Sequence, residues 1–401
     1  MKVAVLAEAH PDERRVALVP ASLKELLKAG AEVTVQSGAG APASISDSEY
    51  QEAGATIAPD AASTLEGASV LLGVQPRPEG SGPGDLGGLP KGTVVVSFMD
   101  PLGSPERAKA MADAGLSAFA MELIPRTTRA QRMDALSSQA TVAGYKAVLM
   151  AADHLPKLMP MFMTAAGTIR PSKALILGAG VAGLQAIATA RRLGAKVEAF
   201  DVRPAVKEQV QSLGASFLET EEDVTAEGEG GYAKELSEEQ HRKELELIAA
   251  HIHDADIVIT TAQIPGRPAP VLITEEMVKS MHPGSVIIDM AAISGGNCEL
   301  SQAGQTVERH GVTIMGPDNL PSTIPVHASQ MYGKNVVTFL LEMVQDGELV
   351  VDLENDVVGP ACLSHGGEVW NPRVRDTLGL PPLPAPAEAP EPAPAPAEPG
   401  E

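Results

Sequence analysis

Residues 173–194 carry the feature that most restricts this chain. Lys173–Leu177 is a short apolar run, Gly178-Ala-Gly180-Val-Ala-Gly183 follows, and Val181–Leu193 continues at helical spacing to a stop at Gly194. Strand, three-glycine turn and helix form the setting in which Gly-x-Gly-x-x-Gly signals a dinucleotide-binding unit. The first glycine permits a tight turn, the second lets the backbone approach a pyrophosphate, and the third lets helix and strand pack closely. The helix N-terminus then presents unpaired N–H groups to phosphate. Gly178, Gly180, Val181 and Gly183 are therefore candidate nucleotide contacts. An ordinary tight turn is the competing account, in a chain with 38 Gly.

Asp201 ends the next strand, Lys196–Asp201, 21 residues after Gly180. A carboxylate there accepts hydrogen bonds from ribose hydroxyls and repels a 2′-phosphate, which favours NAD(H) over NADP(H). Arg203 pulls the other way, since an arginine can bind a 2′-phosphate; the strand-end carboxylate is the better placed group. A capping Asp before Pro204 is the alternative.

The rest of the chain alternates strand and helix signals, which predicts an α/β fold, with a second α/β block opening near Ser172. Strands are expected at Lys2–Ala7, Glu32–Gln36, Ser69–Val74, Thr93–Phe98 and Ser117–Glu122, then at Asp256–Ala262, Ser285–Ala291 and Val312–Met315. Helices are expected from Pro20 to a stop at Gly30, near Ser104–Ala114 and Thr141–Met150, and from Pro204 to Gly214. A long helical pattern over Ser329–Asp346 is expected to cross back, making the first domain discontinuous: 1–140 with 329–378, around a nucleotide domain at 141–328. Residues 219–246 hold eleven acidic residues against three Lys/Arg and are expected to be a solvated loop, mobile at its centre. Residues 381–401 hold nine Pro, six Ala and four Glu, so 379–401 is expected to be a disordered, semi-extended tail.

Composition excludes several classes. The net charge of −22 disfavours nucleic acid and anionic membrane surfaces. Cys298 and Cys362 are too few for a disulfide scaffold and form no CxxC pair, which points to reduced thiols in the cytosol. The charged N-terminus is no secretory signal, and no run approaches eighteen apolar residues, so no direct membrane insertion is expected. His251 and His253 alternate as two residues on one strand face would, with no convincing metal partner; no metal site is expected.

The segment from Ile124 to Gln139 is polar and lies between an apolar strand and an apolar helix. Arg126, Gln131, Asp134 and Ser137 converge only if it folds back on itself. From spacing alone, a binding site and a solvated loop with a helix cap at Asp134 or Ser137 account for it equally well.

Taken together, these runs resemble the alanine dehydrogenase/transhydrogenase family over about residues 1–378. The resemblance rests on Glu13-Arg-Arg-Val-Ala-Leu-Val-Pro20, the Pro125–Gln139 segment, Gly178–Gln185, Phe200-Asp-Val-Arg203, Gly230-Gly-Tyr-Ala-Lys-Glu235, Thr261–Pro270 and Gly295-Gly-Asn297. It runs to the soluble NAD(H)-binding subunits of proton-translocating transhydrogenases. It implies two Rossmann-like parallel-sheet domains flanking a cleft, with NAD(H) on the second, and a homodimer that docks a separate NADP(H)-binding subunit and a membrane-spanning one. It implies a cytoplasmic chain, peripheral to the inner membrane through those partners. It also implies that Arg126, Gln131, Asp134, Ser137 and Ser138 hold the nicotinamide end, the first four forming the catalytic set. Val202, Arg203 and Ala262 join Asp201 and the glycine turn as nucleotide contacts, and Gly231 and Tyr232 lie on a loop that closes over it. Where alanine dehydrogenases carry a Lys, a His and an Asp for their amino or keto acid, this chain has Gln75, Met99 and Ile293. Arg15 remains, but alone it cannot perform the proton transfers of deamination. An alanine dehydrogenase-like enzyme and a non-catalytic NADH-binding module are the alternatives.

Overall fold

The computed structural model describes residues 1–78, 80, 82, 84–85, 88–219, 237–264 and 266–383. Gly231 and Tyr232, the centre of the acidic segment and the tail from 384 onward lie outside the described residues.

The chain first lays down six parallel strands: β1 (Lys2–Val5), β2 (Glu32–Gln36), β3 (Thr56–Ala58), β4 (Val70–Leu72), β5 (Val94–Ser97) and β6 (Ser117–Ala120). Most of their residues are buried and aliphatic, as expected of strands covered on both faces. Pro20 opens and Gly30 follows the helix Pro20–Lys28, which buries Leu23 and Leu26 against this sheet. A hairpin, β7 (Phe162–Thr164) and β8 (Gly167–Ile169), then stands off the body with every residue exposed.

The second sheet contains β9 (Lys173–Leu177), β10 (Lys196–Phe200), β11 (Ser216–Phe217), β12 (Ile257–Thr260), β13 (Val286–Asp289), β14 (Thr306–Arg309) and β15 (Val312–Met315). Its order is 11-10-9-12-13-15-14, parallel except for β14. The small pair β16 (Val344–Gln345) and β17 (Glu348–Leu349) follows, and the chain then returns to the first sheet with β18 (Cys362–His365) and β19 (Glu368–Val369). The first sheet therefore reads 19-18-6-5-4-1-2-3, with β18 and β19 antiparallel. The fold is α/β, with two mixed, mostly parallel sheets.

Both sheets reverse strand order beside their first strand, between β1 and β4 and between β9 and β12. Ligands of open α/β sheets bind at such crevices, outside the carboxyl ends of the strands. Loops from the two carboxyl edges meet. Asn319, beyond β15, hydrogen-bonds Glu13, beyond β1, at 3.1 Å. Leu102, beyond β5, lies 3.0 Å from where a Cβ on Gly266, beyond β12, would stand.

Several expectations need correction. The helix expected at Thr141–Met150 runs from Ala135 to His154. Its first turn is polar, which hid it from a reading based on apolar spacing. The return helix is Pro325–Leu341, starting and ending earlier than the pattern suggested, because the apolar residues after Leu341 belong to the β16–β17 turn. His251 is not a strand residue: it belongs to the helix Glu238–Ile252, and His253 caps it. Residues 237–246 are likewise no loop. Ser237 and Gln240 form a capping box at that helix's start, and its charges other than Glu244 lie outside the buried face.

Candidate nucleotide site

The glycine turn has the geometry its sequence requires. Gly178 follows β9 with φ +97°, a conformation costly for any other residue. A Cβ on Gly183 would stand 1.9 Å from the Gly178 carbonyl oxygen, so strand and helix approach closer than any side chain allows. Gly180 is the N-cap of the helix Val181–Arg192 and offers no side chain to its first N–H groups. They remain available to an anion.

Asp201 stands just past β10 with its carboxylate fully engaged. Oδ2 accepts the Ala179 N–H at 2.7 Å, and the Arg203 side chain grips both oxygens, Nε to Oδ1 at 2.8 Å and Nη2 to Oδ2 at 2.7 Å. Arg203 Nη2 lies 3.8 Å from the Cβ position of Gly180, at the mouth of the turn. Val202 packs partly buried behind them. Glu244 is buried against a neighbouring element and hydrogen-bonds His241 at 2.9 Å; burial pushes its carboxyl pKa up, and Asp201 adds to the rise.

Ala262 follows β12. Its N–H donates to Asn297 Oδ1 at 3.1 Å and its carbonyl accepts from Asn297 Nδ2 at 2.9 Å, so its backbone forms a wall of the crevice. Asn297 is fully buried and also donates to the Pro270 carbonyl at 2.8 Å. The Gly295-Gly-Asn297 motif thus fastens two loops beside the turn, a role that spacing alone did not assign.

The polar segment does fold back. Arg129–Met133 forms a 3-10 helix that buries Ala130 and Met133 and exposes Gln131. Arg129 pairs with Glu342 and Asp356, tying its outer side to the return helix and the segment beyond. Asp134 caps the helix Ala135–His154, accepting the Ser137 N–H at 2.8 Å and the Ser137 hydroxyl at 2.5 Å. Ser138 Oγ donates to Asn335 Oδ1 at 2.7 Å. The structure therefore brings Asp134, Ser137 and Ser138 together, with Gln131 on the adjoining turn. Arg126 is exposed at the segment's start.

One helix joins this segment to the glycine turn. Gly144, on Ala135–His154, packs so closely on the glycine-turn helix that a Cβ there would meet the Ala182 carbonyl oxygen at 2.1 Å. Ser137 lies seven residues earlier, about 10 Å along the helix axis.

Gln75, Met99 and Ile293, which the resemblance sets against the Lys, His and Asp of alanine dehydrogenases, do not lie in one environment. Met99 is fully buried, Ile293 is 66% exposed, and Gln75 points at Glu13. Arg15 is 4% exposed and held by Glu13, Nε to Oε1 at 2.8 Å and Nη2 to Oε2 at 2.6 Å. Burial opposes the Glu13 charge, but the Arg15 hydrogen bonds and charge outweigh it and hold the carboxyl below its ordinary range.

The alanine dehydrogenase/PNT N-terminal domain model matches residues 4–143 and the C-terminal domain model matches 147–372. The chain belongs to the alanine dehydrogenase/PNT family. Within that family it sides with the transhydrogenase subunits. It is 47% identical over 377 residues to the first part of the NAD(P) transhydrogenase subunit alpha of Rhodospirillum rubrum, covering 93% of this chain and 98% of that one. The crystal structure of transhydrogenase from Sinorhizobium meliloti superposes with a TM-score of 0.81 at 46% identity, over 93% of this chain and all of that one. The alanine dehydrogenase of Bacillus subtilis stands further off, 29% identical over 96% of this chain and 97% of its own.

Proposed function

We propose that this chain binds NAD(H) across the Gly178 turn and presents the nicotinamide end for direct hydride transfer to NADP⁺ held on a separate subunit. The observation that carries this reading is the Gly144–Ala182 contact. It makes one rigid helix hold both the phosphate-binding turn and the Asp134–Ser138 cap, with Gln131 exposed beside it. The glycine turn fits a pyrophosphate because its close approaches leave no room for side chains, and the uncapped helix N-terminus favours an anion. Asp201 then takes the ribose hydroxyls once Arg203 yields an oxygen.

The bound nucleotide supplies the hydride: NADH becomes NAD⁺ as NADP⁺ becomes NADPH. No proton is exchanged at the reacting carbons, so the chain needs no general acid or base there. Its contribution is orientation, worth up to ~7–11 kcal/mol in well-aligned systems. In this reading Arg126, Gln131, Asp134 and Ser137 are the orienting groups, and Gln131 is exposed, as a residue facing a second nucleotide must be.

Among the described residues no helix is long and apolar enough to cross a membrane. In this reading the proton path belongs to a membrane-spanning partner, and the chain sits in the cytoplasm, peripheral to the inner membrane. A homodimer accords with the β7–β8 hairpin: Met161, Phe162, Met163 and Ile169 are 43–76% exposed on a projecting element that cannot bury them itself.

The test is Gln131→Asn, which shortens the reach by one methylene and keeps the amide. NADH affinity should hold, while single-turnover transfer from NADH to NADP⁺ with the reconstituted NADP(H)-binding subunit should fall at least tenfold, about 1.4 kcal/mol. A wild-type rate would remove Gln131 from the site and the Arg126–Ser137 assignment with it.

A further inference from the structure

We infer that Asn335, on the return helix Pro325–Leu341, is the positioning residue that sets the polar segment in its working shape; the inference rests on the reading that this segment holds the nicotinamide end. The segment bends at Asp134, between the 3-10 helix Arg129–Met133 and the helix Ala135–His154. A five-residue 3-10 helix has few internal bonds, and its last carbonyls need outside partners. Its closing bond, from the Asp134 N–H to the Gln131 carbonyl, is long at 3.4 Å.

Asn335 supplies what is missing on both sides of the bend. Its Nδ2 donates to the Arg132 carbonyl at 2.8 Å, and its Oδ1 accepts from the Ser138 hydroxyl at 2.7 Å. The amide thereby fixes the angle between the turn that displays Gln131 and the turn that holds Asp134 and Ser137. It is 7% exposed and lies among Tyr332, Val336 and Phe339, all fully buried, so its own position is set by the first sheet's core. A buried polar residue between Tyr332 and Phe339, about 200 residues from its partners, is thus explained. Asn335 need touch neither nucleotide: it acts through Gln131 and Ser137.

The deciding experiment compares Asn335→Ala and Asn335→Asp in the full chain, reconstituted with the NADP(H)-binding subunit. Asn335→Ala should lower single-turnover hydride transfer at least tenfold while the NADH dissociation constant stays within about threefold of wild type. Asn335→Asp keeps the acceptor for Ser138 but sets an oxygen against the Arg132 carbonyl. It should be slow at high pH and recover as the introduced carboxyl takes a proton and can donate again. A merely structural role moves thermal stability and leaves the rate per folded molecule and its pH profile parallel to wild type; that result overturns the inference. So does a loss confined to NADH affinity. If Asn335→Ala fails to fold, the pH profile of Asn335→Asp decides alone. Gln131→Asn separates the two levels. If it is slow and the Asn335 variants are not, only this inference falls; if it transfers at the wild-type rate, the reading beneath it has failed.

Discussion

The two sheets reverse their strand order in the same way and fill the resulting crevice in opposite ways. Between β9 and β12 the chain places glycines, and the backbone itself forms the surface. Between β1 and β4 it places a carboxylate: Glu8 accepts the Val74 N–H at 2.7 Å and the Gln75 N–H at 3.2 Å, and Arg77 Nη1 closes over the Ala7 carbonyl at 2.7 Å. Side chains take backbone N–H groups in both crevices, Glu8 in the first and Asp201 and Asn297 in the second, but the second also holds a helix N-terminus, at Gly180, with no side-chain cap. Topology provides the location twice; residue size and charge decide which location can bind.

Glycine substitutions should separate the two crevices most sharply. Gly183→Ala forces a methyl into the Gly178 carbonyl. It should cost about 1–3 kcal/mol of stability and weaken NADH binding at least tenfold. At Gly73, in the first crevice, a Cβ would meet nothing nearer than 3.4 Å. Gly73→Ala should stay within about 0.5 kcal/mol and leave NADH affinity unchanged. Calorimetric titration with NADH checks both, and equal losses would erase the distinction.

The next contrast lies within the second crevice. Asp201→Asn weakens the hold on Arg203 and removes the charge facing a 2′-phosphate. NADH binding should weaken about tenfold and NADPH binding should improve, so that discrimination narrows by more than the NADH loss alone. Unchanged discrimination would place nucleotide choice elsewhere in the site.

The second crevice was legible in sequence for the same reason that it binds. Backbone approach demands glycine, and glycine at fixed spacing is visible. The first was invisible because Glu8 reads as one more surface carboxylate until Val74 and Gln75 are seen against it. Strand positions were also readable, since buried parallel strands are continuous aliphatic runs, although the ends Ser69–Val74 and Ser285–Ala291 overran the ladder because apolar residues continue past it. Apolar spacing does not reveal Gly144 and Asn335 as contacts. Each lies on the buried face of its helix, and that is the signal: a small or polar residue on such a face marks a close approach or a hydrogen bond.

Burial in the first region predicts a pH effect. Burial raises the Glu8 and Glu122 carboxyls to about 7, against the backbone N–H groups that favour their charge. Between about pH 4.5 and 7 the folded chain therefore binds more protons than the unfolded one, and this contribution falls as pH rises through 7. Glu122 is the cleaner test. Its Oε1 accepts the Met99 and Asp100 N–H groups, both at 2.7 Å, while Oε2 is buried without a partner among the described residues. Glu122→Gln should flatten the stability–pH curve and gain on the order of 1–3 kcal/mol relative to the parent between pH 5 and pH 8. Parallel denaturation midpoints across that range would count against it.

The smallest effects concern a device both regions share. Ser46 caps the short helix Asp47–Glu52, and Ser237 caps Glu238–Ile252, each in a capping box. Removing either hydroxyl by Ser→Ala should cost about 1 kcal/mol. The consequences should differ because the two helices touch different things. The first carries Tyr50, whose hydroxyl bonds the Leu18 carbonyl at 2.7 Å, deep in the first core. The second carries His251, which meets Glu198 on β10 at 3.1 Å, and Glu244, whose carboxyl responds to Asp201. Fraying there loosens the helix packed beside the strand that leads to Asp201. Ser237→Ala should therefore weaken NADH binding about twofold, and Ser46→Ala should leave it alone at the same loss of stability. Matched thermal melts with NADH titrations resolve the pair. Equal NADH affinities would confine the difference between the regions to the crevices themselves and leave the helices around them interchangeable.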